Sequence, residues 1–320
     1  MLVLSRADVE RLIDLDRLRE AVAGAMADLS AGRVSMPPRI AAIVPERDAL
    51  LAAMPAYLPS SGALATKLVS LFPRNTDRPT HQAVIVVFDA ENGGPLALMD
   101  GEAITAARTA AGSALATDLL ARQDSYRLVV IGTGVQARAH LRAVSRVRKF
   151  GWICVVGRDL EKAKALAKEL GASASVNFEE AVREGDVVCA CTHSAEPVVR
   201  RDWLKPGAHV NSVGYNTAGR EVDGATFRDA LVVVESRSAA LAPPPAGSND
   251  IAMAIAEGAM TREHVHAELG ELVSRTRPGR ADARQITLYK SVGVAVQDAA
   301  AAAMVLERAR KAGVGRTIDL

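Results

Sequence analysis

Cysteine is scarce. The 320 residues include three, Cys154, Cys189 and Cys191, an odd number that argues against a disulfide framework and for a reducing compartment. Neither sign of charge dominates: 39 Lys and Arg against 37 Asp and Glu leave a net charge of +2 with no basic block, which argues against nucleic acid as the main partner. No uncharged apolar run approaches the roughly 18 residues of a membrane span, and the segment from Met1 to Asp8 already carries Arg6 and Asp8, so a cytoplasmic protein without membrane contact is expected. No repeat recurs at a fixed period. What is present is core material: 49% hydrophobic and 24% charged residues suit a folded chain of two domains or one large α/β unit.

Ser5 followed by Asp8 has the form of a capping box, and Val9, Leu12, Ile13, Leu15, Leu18, Val22 and Met26 follow at helical spacing, so the chain is expected to open with helices. Met36-Pro37-Pro38 closes that region. Short apolar runs at 40–44, 50–54, 63–71 and 82–89, bounded by Pro, Gly or Asn, predict a small sheet with turns such as Glu91-Asn92-Gly93-Gly94. Residues 101–122, mostly Ala, Leu and Thr, suit a helix linking one domain to the next. Beyond Tyr126, strand candidates at 127–131, 152–156, 186–191, 209–213 and 231–235 alternate with helical segments, of which 160–170 is the clearest. That alternation implies a parallel sheet with right-handed crossovers, the doubly wound layout. The triple-proline stretch 241–247 reads as a surface loop, and a last helical region is expected from near Thr287 to Ala312.

Residues 129–137 read Val-Val-Ile-Gly-Thr-Gly-Val-Gln-Ala, a G-x-G-x-x-A pattern at a strand-to-helix junction. Gly132 permits the tight turn, Gly134 admits a pyrophosphate close to the backbone, and Ala137 lets the helix pack on the strand. Val135 and Gln136 stand at the helix N-terminus, whose N–H groups and dipole suit phosphates. Such a pattern alone marks only a turn; the strand before and the helix after make it a dinucleotide fingerprint. The second strand ends in Gly157-Arg158-Asp159, where an NAD site usually places an acid for the ribose hydroxyl. Gly157 leaves that place empty and Arg158 suits a 2′-phosphate, so NADPH is favoured, with NADH retained through Asp159 in a shifted register.

Arg39, Lys67 and Arg108 lie beside turns or inside apolar stretches, where burial is costly unless something anionic meets them. Surface charges or internal salt bridges are the plainer reading. Cys189-x-Cys191 lacks further nearby ligands, so no metal is expected. His264-x-His266 is placed in a helix where the two do not share a face, and Trp152 and Trp203 read as packing residues.

At this point the sequence resembles the ornithine cyclodeaminase/mu-crystallin family. The resemblance is carried by Met54-Pro55-Ala56-Tyr57, Lys67-Leu68-Val69 with Phe72-Pro73, His81-Gln82-Ala83, residues 95–101 and Arg108-Thr109-Ala110-Ala111. The glycine loop, Glu268-Leu269-Gly270-Glu271, Ser291-Val292-Gly293 and Gln297-Asp298 continue it. It implies an α/β protein made of a doubly wound Rossmann domain at 117–299 and an α+β substrate-binding and dimerisation domain at 1–116, with a C-terminal helix at 300–320 returning to the latter. It also implies a homodimer paired through a shared sheet. Arg39, Lys67 and Arg108 would hold a substrate carboxylate, with Met54 and Asn216 beside the substrate. Thr109, Thr192, Val213, Ser291, Val292 and Gly293 would border the cofactor.

Two departures from the cyclodeaminases bear on chemistry. The acids that read a diamine in those enzymes are here Ala52 and, in Val213-Gly214-Tyr215-Asn216, the neutral Asn216; Asp223 remains as a substitute. A buried ammonium with no carboxylate is poorly paired. Three cations in a cleft without acids, facing the nicotinamide, suit a cyclic imine carboxylate such as 1-pyrroline-2-carboxylate or its six-membered homologue, and Thr80-His81-Gln82-Ala83 resembles the ketimine reductases. The expected activity is NAD(P)H-dependent reduction to a cyclic amino acid such as L-proline or L-pipecolate. Lys67 or His81 would deliver the proton. The alternatives are ornithine or lysine cyclodeamination, an alanine dehydrogenase-like reaction, and a non-catalytic binding protein of the mu-crystallin kind.

Overall fold

The structure, a computed structural model, describes residues 1–216 and 218–319. In chain order its strands are β1 Leu2–Leu4, β2 Ile40–Val44, β3 Ala49–Leu58, β4 Ala63–Leu71, β5 His81–Phe88, β6 Pro95–Asp100, β7 Arg127–Ile131, β8 Trp152–Val156, β9 Ser173–Ser175, β10 Val187–Ala190, β11 His209–Ser212, β12 Leu231–Val234, β13 Val265–Glu268, β14 Thr287–Lys290 and β15 Arg316–Thr317. They belong to two compact units, Met1–Arg108 with Gly293–Leu320, and Thr109–Val292. The division falls inside the Gly101–Leu120 helix, where no linker marks it, rather than at residue 116, and the return begins at Gly293 rather than at 300.

The first unit is a seven-stranded sheet in the order β15-β1-β6-β5-β4-β3-β2. β2 to β6 run antiparallel, and β1 lies parallel to β6. Strand alternation sorts its side chains. Ala52, Met54 and Ala56 of β3, Ala65, Lys67 and Val69 of β4, and Ile85 and Val87 of β5 are inward and buried, except that β5 begins half-buried. The Ala295–Ala312 helix packs on β3, β4 and β5. The opposite face keeps Ile40, Leu51 and Val84 exposed. The chain opens with β1 rather than with a helix, because three residues are too few to show a period; the Ser5–Asp8 capping box then starts the Arg6–Leu12 helix as expected.

The second unit is an eight-stranded, wholly parallel sheet in the order β13-β12-β14-β11-β10-β7-β8-β9. Counted from β7, the first five strands stand 3-2-1-4-5, the doubly wound order whose direction reverses between β7 and β10. Thr287–Lys290 is a strand between β11 and β12, so the last helix starts only at Ala295. All four residues of that strand are buried, which removes the alternation by which a strand is recognised. His266 lies in β13 and His264 in the short turn before it, which corrects the helix expected there. Among the described residues no helix is long and apolar enough to cross a membrane.

Candidate functional site

In the first unit, Lys67 takes an inward position of β4, opposite Met54 of β3 and Ile85 of β5. It is 3% exposed, and its Nζ lies 2.8 Å from Oδ2 of Asp298, with a long contact of 3.5 Å to Thr105 Oγ1. Arg108 comes from the Gly101–Leu120 helix and is equally buried. Its Nε donates to Oδ1 of Asp298 at 2.9 Å and its Nη1 to Oε1 of Gln297 at 3.2 Å. Gly293 has φ +73, and a Cβ there would stand 2.8 Å from Arg108 Nη1 and 2.9 Å from Nη2. The guanidinium therefore occupies the space a side chain would need. Half-buried Arg39 donates from Nη2 to the Gly293 carbonyl at 2.9 Å.

The structure thus brings Arg39, Lys67 and Arg108 into one cluster and places in it Asp298, which the sequence reading had noted only as part of the family resemblance. The expectation of a cleft without carboxylates is corrected by Asp298, 1% exposed, in the first turn of the Ala295–Ala312 helix. Burial alone would raise its pKa, but Arg108 and then Lys67 hold it below the usual carboxylate range. Burial brings Lys67 down to about 8, with Arg108 adding to that shift and Asp298 opposing it. Half-buried His81 opens β5; burial, then the charges of Lys67 and Arg108, lower its pKa to about 4, so it is neutral near pH 7. Among the described residues, Arg39, Lys67 and Arg108 thus gather near the single carboxylate of Asp298.

In the second unit, the end of β7 supplies the glycine loop. Gly132 has φ +119, and a Cβ there would stand 2.6 Å from the Cys191 carbonyl oxygen at the end of β10. The bare turn therefore sits at the switch point, where open parallel sheets bind ligands. Gly134 is the N-cap of the Val135–Val144 helix and no side chain caps it, so its first N–H groups and positive dipole remain for an anion. These features fit a dinucleotide pyrophosphate. Val135 is exposed and Gln136 half-buried at that helix start.

At the end of β8, a Cβ on Gly157 would meet Thr133 Cγ2 at 2.6 Å, so the glycine makes room for the loop of β7. Arg158 is exposed beside it. Asp159 is the N-cap of the Leu160–Ala167 helix and accepts from the N–H groups of Glu161 and Lys162. That capping role occupies the carboxylate considered above for a ribose.

Three of the other expected residues of this unit, Thr192, Ser291 and Val292, are tied to acids that sequence reasoning missed. Thr192 donates its N–H at 2.5 Å and its hydroxyl at 2.8 Å to Oε1 of Glu221, whose Oε2 accepts from Ser212 Oγ and Gly214 N. Ser291 Oγ and Val292 N donate to the two oxygens of Glu235 at 2.5 and 3.0 Å. Val213 follows β11, with its N–H on the Ala190 carbonyl. Asn216 donates to the His193 carbonyl and accepts from Ala218 N, so its amide bridges backbone segments. Asp223 caps the Gly224–Asp229 helix and accepts from Arg201 N. Thr109 is buried in the long helix. Cys189 and Cys191 are buried, which pushes both thiols up, Cys189 to about 12.

The profile of the ornithine cyclodeaminase/mu-crystallin family matches residues 1–313. Ketimine reductase mu-crystallin of Mus musculus is 38% identical over 281 residues, 86% of each chain. Among solved structures, Delta(1)-pyrroline-2-carboxylate reductase of Thermococcus litoralis in complex with NADH and L-proline superposes with a TM-score of 0.94 at 40% identity, covering 99% of this chain and 100% of that one. An archaeal alanine dehydrogenase dimer with bound NAD gives a TM-score of 0.92 at 33% identity, covering 100% and 99%.

Proposed function

The chain belongs to the ornithine cyclodeaminase/mu-crystallin family, and from that premise we propose that it is an NAD(P)H-dependent ketimine reductase. Its substrate is a cyclic imine carboxylate, 1-pyrroline-2-carboxylate or 1-piperideine-2-carboxylate, reduced to L-proline or L-pipecolate. The observation that carries this reading is the buried Lys67 and Arg108 pair, which share one acid, Asp298, whose two oxygens already face them, with Arg39 close by. A monocarboxylate supplies the missing negative charge, whereas the distal ammonium of a diamine would find no unengaged acid there. Ala52, on the same inward face, offers none.

Gly132, Gly134 and the N-terminus of the Val135–Val144 helix would hold a dinucleotide, which would supply hydride for an imine reduction. Arg39 and Arg108 orient the substrate carboxylate, Arg108 through its Nη2, which no described residue engages. Lys67 donates a proton from Nζ to the imine nitrogen; a group near pH 8 is well matched to that task at neutral pH. Neutral His81 serves as a hydrogen-bonding wall. Met54, beside Lys67 in the β3–β4 register, packs against the ring. Arg158 favours NADPH over NADH, since its neighbour Asp159 is spent as a helix cap.

The protein works in the cytoplasm as a homodimer, whose second copy covers the apolar sheet face carrying Ile40, Leu51 and Val84. The test is an NADPH-oxidation assay over cyclic imines, ammonia with pyruvate, and ornithine. Stoichiometric NADPH loss with a cyclic imine is expected. Faster turnover with ammonia and pyruvate, or ornithine conversion with no net NADPH change, would overturn the reading.

A further inference from the structure

Among the described residues, the cations beside Lys67 work to strip its proton and one carboxylate works to keep it. Arg108 comes from the Gly101–Leu120 helix, Arg39 from the segment before β2, and His81 from β5; the first two are cations and the third is neutral. Thr105 offers only a hydroxyl at 3.5 Å. The acid is Asp298. Its carboxylate bridges Lys67 Nζ at 2.8 Å and Arg108 Nε at 2.9 Å, all three side chains being at most 5% exposed. It stands in the first turn of an 18-residue helix, where the dipole favours an anion. Resting on the reductase reading above, we infer that Asp298 is a positioning residue that aims Lys67 for proton transfer and keeps it charged until the imine is seated.

The double bridge makes the transfer workable. The Nζ–H bond breaks and an N–H bond forms on the imine nitrogen, which takes over the positive charge that the incoming hydride then neutralises. Lys67 becomes a neutral amine. Asp298 is not stranded, because Arg108 still holds its other oxygen, so the cost of an unpaired buried carboxylate is avoided. Water reprotonates Lys67 after product leaves.

The experiment is the pH profile of kcat/KM for imine reduction in the wild type, Asp298→Asn and Asp298→Glu, with NADPH binding as the check on folding. In the wild type, activity should fall on the alkaline side with a midpoint near pH 8. In Asp298→Asn that midpoint should drop by about one to three pH units, the usual effect of an opposite charge at this range, while NADPH affinity holds. Asp298→Glu should bring the midpoint back towards the wild-type position even where kcat is lower. A uniform loss in Asp298→Asn with an unmoved midpoint would overturn the inference. Should that variant not fold, the wild-type curve still decides: no alkaline limb between pH 7 and 9.5 overturns it as well. A wild type that oxidises NADPH with no imine sinks the reductase reading itself, a different result from an active enzyme whose midpoint ignores Asp298.

Discussion

Around Lys67, two buried cations, Lys67 and Arg108, share the one carboxylate of Asp298, whereas around Lys290, in the other unit, two buried acids, Glu221 and Asp250, share a single ammonium. Both clusters are buried, yet they differ in what is left over. Glu221 accepts from Thr192 N and Oγ1, Ser212 Oγ and Gly214 N. Lys290 reaches Asp250, Ser212 Oγ and the Gly214 carbonyl at 2.9 to 3.1 Å, and Asp250 accepts from the N–H groups of Glu221 and Val222. Burial raises the Glu221 pKa, with Lys290 opposing. Donors and acceptors there close on one another and fix the backbone at the ends of β10 and β11. In the Lys67 cluster, by contrast, two cations share one acid, and no described residue accepts from Arg108 Nη2. A closed network of this kind holds the chain in place; under the reductase reading proposed above, the Lys67 cluster instead receives a substrate carboxylate.

Removing one lysine from each cluster is the sharpest way to break this contrast. Lys67→Met should lower kcat by about 10²- to 10⁴-fold, the range for loss of a general acid, with NADPH affinity intact; a rise in KM alone would reduce Lys67 to an anchor. Lys290→Met should act on folding, costing about 3–5 kcal/mol because two buried acids lose their countercharge. Denaturant unfolding measures this, and an unchanged midpoint would mean that the two clusters do not differ in kind.

Acid should weaken the second unit in a defined window. His140 and His209 are fully buried, and burial lowers them to about 4 and about 3. The unfolded chain then binds more protons than the folded one below the ordinary histidine value, about 6.5. The stability they support is fully present above that pH and declines as pH falls towards 4, by up to about 1.4 kcal/mol per unit for each histidine. Melting curves from pH 7 to 4 read this, and a flat response would rule it out. The smallest effect expected is that of exposed Arg158: Arg158→Ala should raise the KM for NADPH about tenfold and leave NADH unchanged, as for loss of one charge-assisted contact to a phosphate. Equal changes for both cofactors would show that Arg158 does not read the 2′-phosphate.

Much of this was legible where a period or a junction was clear. β2 and β4 follow their apolar runs residue for residue, and the glycine loop lies at the strand-to-helix turn where its spacing put it. Lys67 stood out because its neighbours are apolar. The same criterion, applied to acids, would have found Asp298 in its alanine-rich helix. Its partnership with Arg108, across 190 residues of sequence, leaves no local trace. β1 and β9 span three residues each, too few for alternation to register, and Glu221 sits in a stretch with neither period nor motif.

Gly293 deserves a different description from the turn glycine it resembles. Its carbonyl anchors Arg39 and its bare α-carbon lies against the fork of Arg108. A methyl group there would push the Arg108 fork aside and strain a backbone held at φ +73. Gly293→Ala should therefore raise the KM for imine by shifting Arg108, with NADPH affinity unchanged.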